Sequence, residues 1–192
     1  MIAGHFGFAA IVKSREPRVP LWSLMFATAW LDIVFIPLFM MNAESLSPVP
    51  GLHGGYGASI IHADYSHSLL GALALSVVLG LVFGVRWGRR CAVVLGFVSF
   101  SHWLLDLLVH RGDMPILPAN AGNLPRFGFA LWQYAAISAF LELLLVLLGA
   151  VMYWRTARCV TSESNRGRRL AALAGCLIAA FGILILGIDL VS

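Results

Sequence analysis

The chain has 192 residues, of which 60% are hydrophobic and only 11% charged. An ordinary soluble domain carries about 25% charged residues, so the composition excludes one and points to a single compact membrane bundle. The net charge of +4 is no nucleic-acid signal, because its distribution follows membrane topology. Three cysteines without a Cys-x-x-Cys pair indicate neither a disulfide framework nor a thiolate metal site.

Residues 1–12 are apolar but too short to cross a bilayer at about 1.5 Å per residue. They read as a half-span with His5 near its start. Their charges follow rather than precede the apolar stretch, which argues against a cleaved signal peptide. A basic turn (13–18) leads to a first span over about 20–41, with Asp32 in its middle and Pro37 expected to bend it. Residues 42–65 form a Pro/Gly-rich loop with no Lys or Arg, long enough to suggest a function. The second span, about 66–85, opens with His67. After the turn 86–90 comes the third, ending in Ser101-His102-Trp103-Leu104-Leu105-Asp106-Leu107-Leu108-Val109-His110. A further Pro/Gly loop covers 111–128. The fourth span, about 129–154, contains Glu142, and the fifth, about 170–191, contains Asp189. The expectation is an all-α polytopic bundle of about five transmembrane helices plus a short N-terminal half-helix.

The turns at 13–18, 86–90 and 155–169 hold 11 of the 13 Lys and Arg residues, leaving Arg111 and Arg126 on the opposite side. By the positive-inside rule these turns face the cytoplasm and the two long loops face outward.

At about 100° per residue, His102 and Asp106 lie about 40° apart on one helix face, a spacing from which helical ligands reach one metal ion. His102 lies about 18 Å above the inner surface at helical rise. Asp32 falls at the same level, His5 slightly lower, and His67 and Asp106 higher. An Asp at a helix centre costs about 2.5–3.5 kcal/mol on insertion scales, so intramembrane acids are functional candidates. Carboxylates beside several imidazoles suit a divalent metal, zinc first, with one or two ions bound. The alternative is buried hydrogen bonding that fixes helix packing for Asp32, His67, His102 and Asp106, a solvated terminal histidine for His5, and a plain loop histidine for His62.

Four motifs resemble the membrane-bound metal-dependent hydrolases, the LexA-regulated inner-membrane hydrolase family. His62-Ala-Asp64-Tyr65-Ser66-His67-Ser68-Leu69-Leu70 is similar to its His-x-x-x-[Thr/Ser]-His-Ser-Leu-Leu element. Gly4-His5 resembles its N-terminal Gly-His, Leu31-Asp32-Ile33 its Pro-Asp-Ile-Asp, and Ser101–Asp106 its Ser-His-x-x-x-Asp. The His-x-x-x-Asp element is also similar to that of zinc-dependent phospholipase C. The resemblance covers residues 4–106 and implies a multi-spanning bacterial inner-membrane hydrolase. The family's paired aspartates are here reduced to Asp32, without the preceding Pro, and Asp64 stands where members often carry Gly.

The candidate metal ligands are therefore His5, Asp32, His62, His67, His102 and Asp106. Asp64 is a ligand, a general base or a helix N-cap; Glu142 is a base or interhelical glue. Arg111 and Arg126 either clamp a substrate phosphate or contact headgroups. His53 and His110 read as interfacial residues with a possible site role, and Asp189 as solvated at the outer boundary. The expected activity is hydrolysis of an ester or phosphoester of an amphiphilic membrane lipid, with no nucleic-acid partner. Two alternatives are transport of protons or metal ions through the same His/Asp cluster and a non-catalytic role in packing.

Overall fold

The computed structural model of the protein describes residues 1–52, 57–160 and 165–191. Among the described residues, the fold is built on six α-helices and one small hairpin: α1 (Ile2–Arg15), α2 (Leu21–Thr28), α3 (Trp30–Met40), β1 (Ser45–Pro48), β2 (Ser59–His62), α4 (Leu69–Val109), α5 (Ala135–Val160) and α6 (Asn165–Val191).

The helical class is as expected, but five separate spanning helices are not found among the described residues. Three helices are long and apolar enough to cross a membrane, α4, α5 and α6, and the bent pair α2–α3 makes a fourth if counted as one span. The stretches expected as second and third spans are the two helical arms of α4, which meet at Gly88, where the backbone leaves helical geometry (φ 83°, ψ 170°). That left-handed φ is cheap for glycine and costly for other residues. The chain reverses there. Ser76 Oγ donates to Ser99 Oγ at 2.9 Å, and a Cβ placed on Gly80 would lie 2.6 Å from the Ala92 carbonyl oxygen. Small residues thus let the two arms of α4 lie against each other backbone to backbone.

The long helices turn apolar side chains such as Leu81, Val85 and Leu184 outward. In water such surface would drive association; around a bilayer it faces lipid. This is a membrane protein.

The half-helix α1 lies inside the bundle. Ala3, Gly4, His5, Gly7, Ala9 and Ala10 are all buried. Its tightest neighbour is α5, where Gly7 and Gly149 meet: a Cβ on Gly7 would stand 2.6 Å from the Leu145 carbonyl oxygen. On its other side, Ala9 joins Leu24 and Ala27 of α2 and Leu79, Leu95 and Val98 of α4 in one core cluster. The basic turns at 13–18 and 86–90 are tied by Arg90, whose guanidinium donates two hydrogen bonds to Glu16 at 2.8 and 3.0 Å.

Two further expectations change. The first span breaks at Ala29 (φ −91°, ψ 0°) with a 45° bend, while Pro37 sits within α3. The loop 42–65, read as lacking secondary structure, contains the antiparallel pair β1–β2, in register from Ser45 opposite His62 to Pro48 opposite Ser59. Ile60 and Ile61 are β-branched, which suits a pleated strand, and the turn-forming Gly51 has φ 83°.

Candidate metal centre

The polar residues are delivered by three helical pieces and the turn that precedes α4. α1 supplies His5, α3 supplies Asp32, and the start of α4 is preceded by His67. The far arm of α4 supplies His102 and Asp106 from one face, as their four-residue spacing dictates. Together with His110 and Asp189 they line a cavity of about 370 Å³ whose other walls include Phe35, Leu46, Ile61 and Trp132. His5, His67, His102 and Asp106 are almost wholly buried, whereas the Asp32 side chain remains 42% exposed at the opening.

Asp32, His67 and His102 bring three ligand-type atoms within 4.8 Å of one another, and Asp106 flanks both imidazoles. His67 Nε2 and His102 Nε2 are 3.3 Å apart. Asp32 Oδ1 lies 3.6 Å from the first and 3.5 Å from the second. Asp106 Oδ2 lies 3.8 and 3.0 Å from the same two nitrogens. Ligands at about 2.0–2.2 Å from a tetrahedral ion are separated by about 3.3–3.6 Å; the spacings among His67, His102 and Asp32 match that value, and Asp106 stands slightly to either side of it.

The remaining ring nitrogens fix the protonation. His102 Nδ1 lies 2.6 Å from the Thr28 carbonyl, which only accepts, so Nδ1 carries the proton and Nε2 a lone pair in the neutral ring. The break at Ala29 is what turns that carbonyl toward His102. His67 Nδ1 lies 2.8 Å from Ser66 Oγ, and that hydroxyl donates to the Glu44 carboxylate. His67 therefore donates from Nδ1 and also presents a lone pair at Nε2. Two lone pairs at 3.3 Å beside two carboxylates are reconciled by a cation, either a metal ion or a second ring proton donated from His102 Nε2 to Asp106 Oδ2 at 3.0 Å. The donor set thus fits a divalent metal, and each imidazole has the oxygen partner that usually orients a metal-bound histidine.

His5 is arranged differently. Its Nε2 donates to Asp106 Oδ1 at 3.0 Å, and its ring stacks on His102 with centroids 3.8 Å apart. It also belongs, with His102 and Asp106, to a second group of ligand-type atoms within 4.8 Å of one another. Its Nδ1 and the Trp132 Nε1 are buried without hydrogen-bond partners.

The other candidates lie elsewhere. His62 is in β2, where its Nε2 pairs with Ser47 Oγ at 2.9 Å. Asp64 and Arg126 form a bidentate pair at 2.6 and 2.9 Å, with Arg126 also donating to the Asp113 carbonyl. Arg111 donates to the carbonyls of Gly57 and Trp132. Neither arginine is among the cavity-lining residues. Glu142 is fully buried on α5 and accepts from the Gly4 backbone N–H at 2.9 Å, next to the site but at the start of α1. Helix α4 is capped by Ser68, whose Oγ accepts from the Gly71 N–H, so the cap expected at Asp64 is supplied four residues later. Asp189 lines the cavity instead of standing in solvent. His53 lies outside the described residues.

Sequence reasoning missed Glu44 and Asp113. Asp113 accepts from His110 Nδ1 at 2.8 Å and from the Ile61 N–H at 3.0 Å. Burial opposes its charge, but His110 and the Ile61 amide hold its carboxyl below the usual range. The available signals were the His110-x-x-Asp113 spacing and an acid, Glu44, in a loop without cations.

No protein-family model matches this sequence, and no curated protein or solved structure matches it either. What the site does must therefore be argued from its own chemistry.

Proposed function

We propose that the chain is a membrane-embedded metal-dependent hydrolase that cleaves an ester or phosphoester bond of an amphiphilic membrane lipid. The observation that carries this reading is the meeting of Asp32, His67 and His102 at the mutual spacing of ligands on one ion, with Asp106 beside both imidazoles and a cavity with apolar walls next to them. Two imidazoles and two carboxylates make a nitrogen–oxygen set, for which zinc is the first choice. Such an ion supplies Lewis acidity and lowers the pKa of a water bound to it to about 7.

The chain's own residues divide the remaining work. His5 holds the Asp106 carboxylate by donating to its Oδ1, leaving Oδ2 for the cluster. Asp32, the most accessible of the four, marks the side from which a substrate enters. Phe35, Leu46 and Ile61 offer an apolar wall to an acyl chain. Since both arginines are engaged elsewhere, no guanidinium clamp is part of the proposed substrate contacts.

The proposed topology has five crossings: the bent α2–α3 pair, the two arms of α4, α5 and α6. At 1.5 Å per residue, arms covering 69–87 and 89–109 are about 28 and 32 Å long, near the hydrocarbon thickness. The basic turns would face the cytoplasm of a bacterial inner membrane, with the cavity in the outer half. A one-sided pocket favours hydrolysis over transport, because the stretches 77–85 and 92–98 near the basic turn carry no ionisable side chain. The motif resemblance described above supports the same class.

The test uses the full chain purified in detergent. Metal analysis should find zinc in the wild type and its loss in His102→Ala. Only the metal-loaded protein should hydrolyse one member of a panel of phospholipids and neutral glycerol esters. A metal-free wild type would remove the basis of the reading. Metal or proton flux in proteoliposomes with no hydrolysis would replace it with transport.

A further inference from the structure

We propose that Glu44 is a positioning residue that, through Ser66, sets which nitrogen of His67 carries the proton and so keeps His67 able to bind metal. The proposal rests on the metal-centre reading above and extends it to a residue outside the cavity.

Glu44 follows the tight turn that ends α3, where Asn42 has φ 57°, and its side chain is 2% exposed. No lysine or arginine pairs with it among the described residues. Its Oε1 accepts from the backbone N–H groups of Tyr65 and Ser66 at 2.9 and 2.7 Å. Ser66 Oγ lies 3.0 Å from Oε1 and 2.9 Å from Oε2. The two amide bonds alone would hold the 65–66 turn. The hydroxyl contact does something more, because a serine has one proton to give.

With a carboxylate at Glu44, which only accepts, that proton is drawn to Glu44. Ser66 Oγ must then accept from His67 Nδ1, and the His67 lone pair falls at Nε2, facing His102 Nε2 at 3.3 Å. Without the carboxylate, Ser66 is free to donate to Nδ1 instead. The His67 proton would then sit at Nε2, inside the cluster, where it blocks a ligand position. His102 has no such freedom, since its Nδ1 faces a backbone carbonyl that can only accept. Of the two imidazoles, only His67 has a tautomer that a side-chain hydroxyl decides, and Glu44 is the group that decides the hydroxyl.

Glu44→Gln separates this role from simple support. An amide oxygen in the place of Oε1 keeps both backbone bonds and has no lone pair left over. The amide nitrogen in the place of Oε2 donates to Ser66 Oγ and turns its proton toward His67. Ser66→Ala is the companion variant, leaving Glu44 its amide partners and removing the relay atom. The probe is Co²⁺ alone, titrated into the metal-free full chain in detergent and read by its visible absorption, with His67→Ala as the variant lacking the ligand itself. The expected result is Co²⁺ binding weakened about 10–100-fold in both Glu44→Gln and Ser66→Ala, the range typical of outer partners of metal ligands. The thermal midpoint of the metal-free protein should stay near wild type in both. Wild-type affinity and an unchanged spectrum in either variant would overturn the relay while leaving the metal centre standing. A wild type that takes up no Co²⁺ would overturn the metal centre and the relay together.

Discussion

His67 and His102 face each other through their Nε2 atoms at 3.3 Å, and each turns its other ring nitrogen to an oxygen that fixes the proton there. Residues 35 positions apart in sequence reach this arrangement because α4 doubles back at Gly88, so one end of its first arm meets the far end of its second. Asp106 joins them from the turn after His102, and Asp32 from the helix that starts beyond the Ala29 break.

Removing one ligand should therefore empty the cluster without unfolding the bundle. For His102→Ala we expect metal affinity to fall by more than about 100-fold, beyond the loss typical of outer-sphere changes, while the helical circular dichroism is retained. Because a ligand bound only to the folded state stabilises it, chelation should lower the wild-type thermal midpoint and leave that of His102→Ala unmoved. Equal chelator sensitivity in both proteins would show that the metal sits elsewhere.

Much of this centre was legible in the sequence, for a physical reason. An ionisable side chain in an apolar helix is costly, so His102, Asp106 and Asp32 stood out against their neighbours, and helical periodicity put the first two on one face. Periodicity cannot report what a loop does. The Ala29 break carries no proline or glycine at the break itself, and the proline that suggested a bend, Pro37, lies inside α3. Glu44, Asp113 and the pairing of Asp64 with Arg126 depend on how the two long loops fold over the cavity, and no local pattern encodes such a contact. The turn expected at 86–90 is where the two arms of α4 meet, at Gly88, the residue inside that element with non-helical geometry.

The crossing of α1 and α5 predicts a packing defect with consequences for the site. Gly7→Val would place new carbon atoms against the Leu145 carbonyl oxygen, where even a Cβ has only 2.6 Å. Overpacking of this kind costs about 1–3 kcal/mol, and relief by moving α1 would carry His5 away from Asp106. We expect a lower thermal midpoint in detergent together with weaker metal binding. Gly51→Val, whose site has no neighbour within 4 Å but a φ of 83°, should destabilise the chain locally and leave metal binding intact. A Gly7→Val protein as stable as wild type would mean that the helices are not in contact there.

The orientation can be read chemically. In a background with Cys91, Cys159 and Cys176 replaced, Asn123→Cys should react with a membrane-impermeant maleimide added from outside, and Arg89→Cys only after the membrane is opened. Both positions are exposed, so access rather than burial decides the outcome. The opposite pattern would invert the topology and put the cavity on the cytoplasmic side, against the positive-inside distribution.

Arg126 offers the last discrimination, between a substrate clamp and a loop tie. If it contacts a phosphate, its removal should impair activity whether or not Asp64 is present. Its guanidinium is instead committed to Asp64 through two hydrogen bonds at 2.6 and 2.9 Å, and the pair is only partly exposed, with side chains 28% and 24% accessible. Asp64→Ala should therefore lose about 1 kcal/mol given partial solvent screening, and Arg126→Ala somewhat more, because its bond to the Asp113 carbonyl is lost as well. The double variant should lose little more than Arg126→Ala alone, because contacting residues are not additive. Arg126→Lys should fall between wild type and Arg126→Ala, since an ammonium cannot reproduce the bidentate fork. Thermal melts of the four proteins give the cycle, and hydrolysis by the metal-loaded forms gives its functional counterpart. Additive stability losses, with activity lost in Arg126→Ala but kept in Asp64→Ala, would return Arg126 to the substrate and show the ion pair to be incidental.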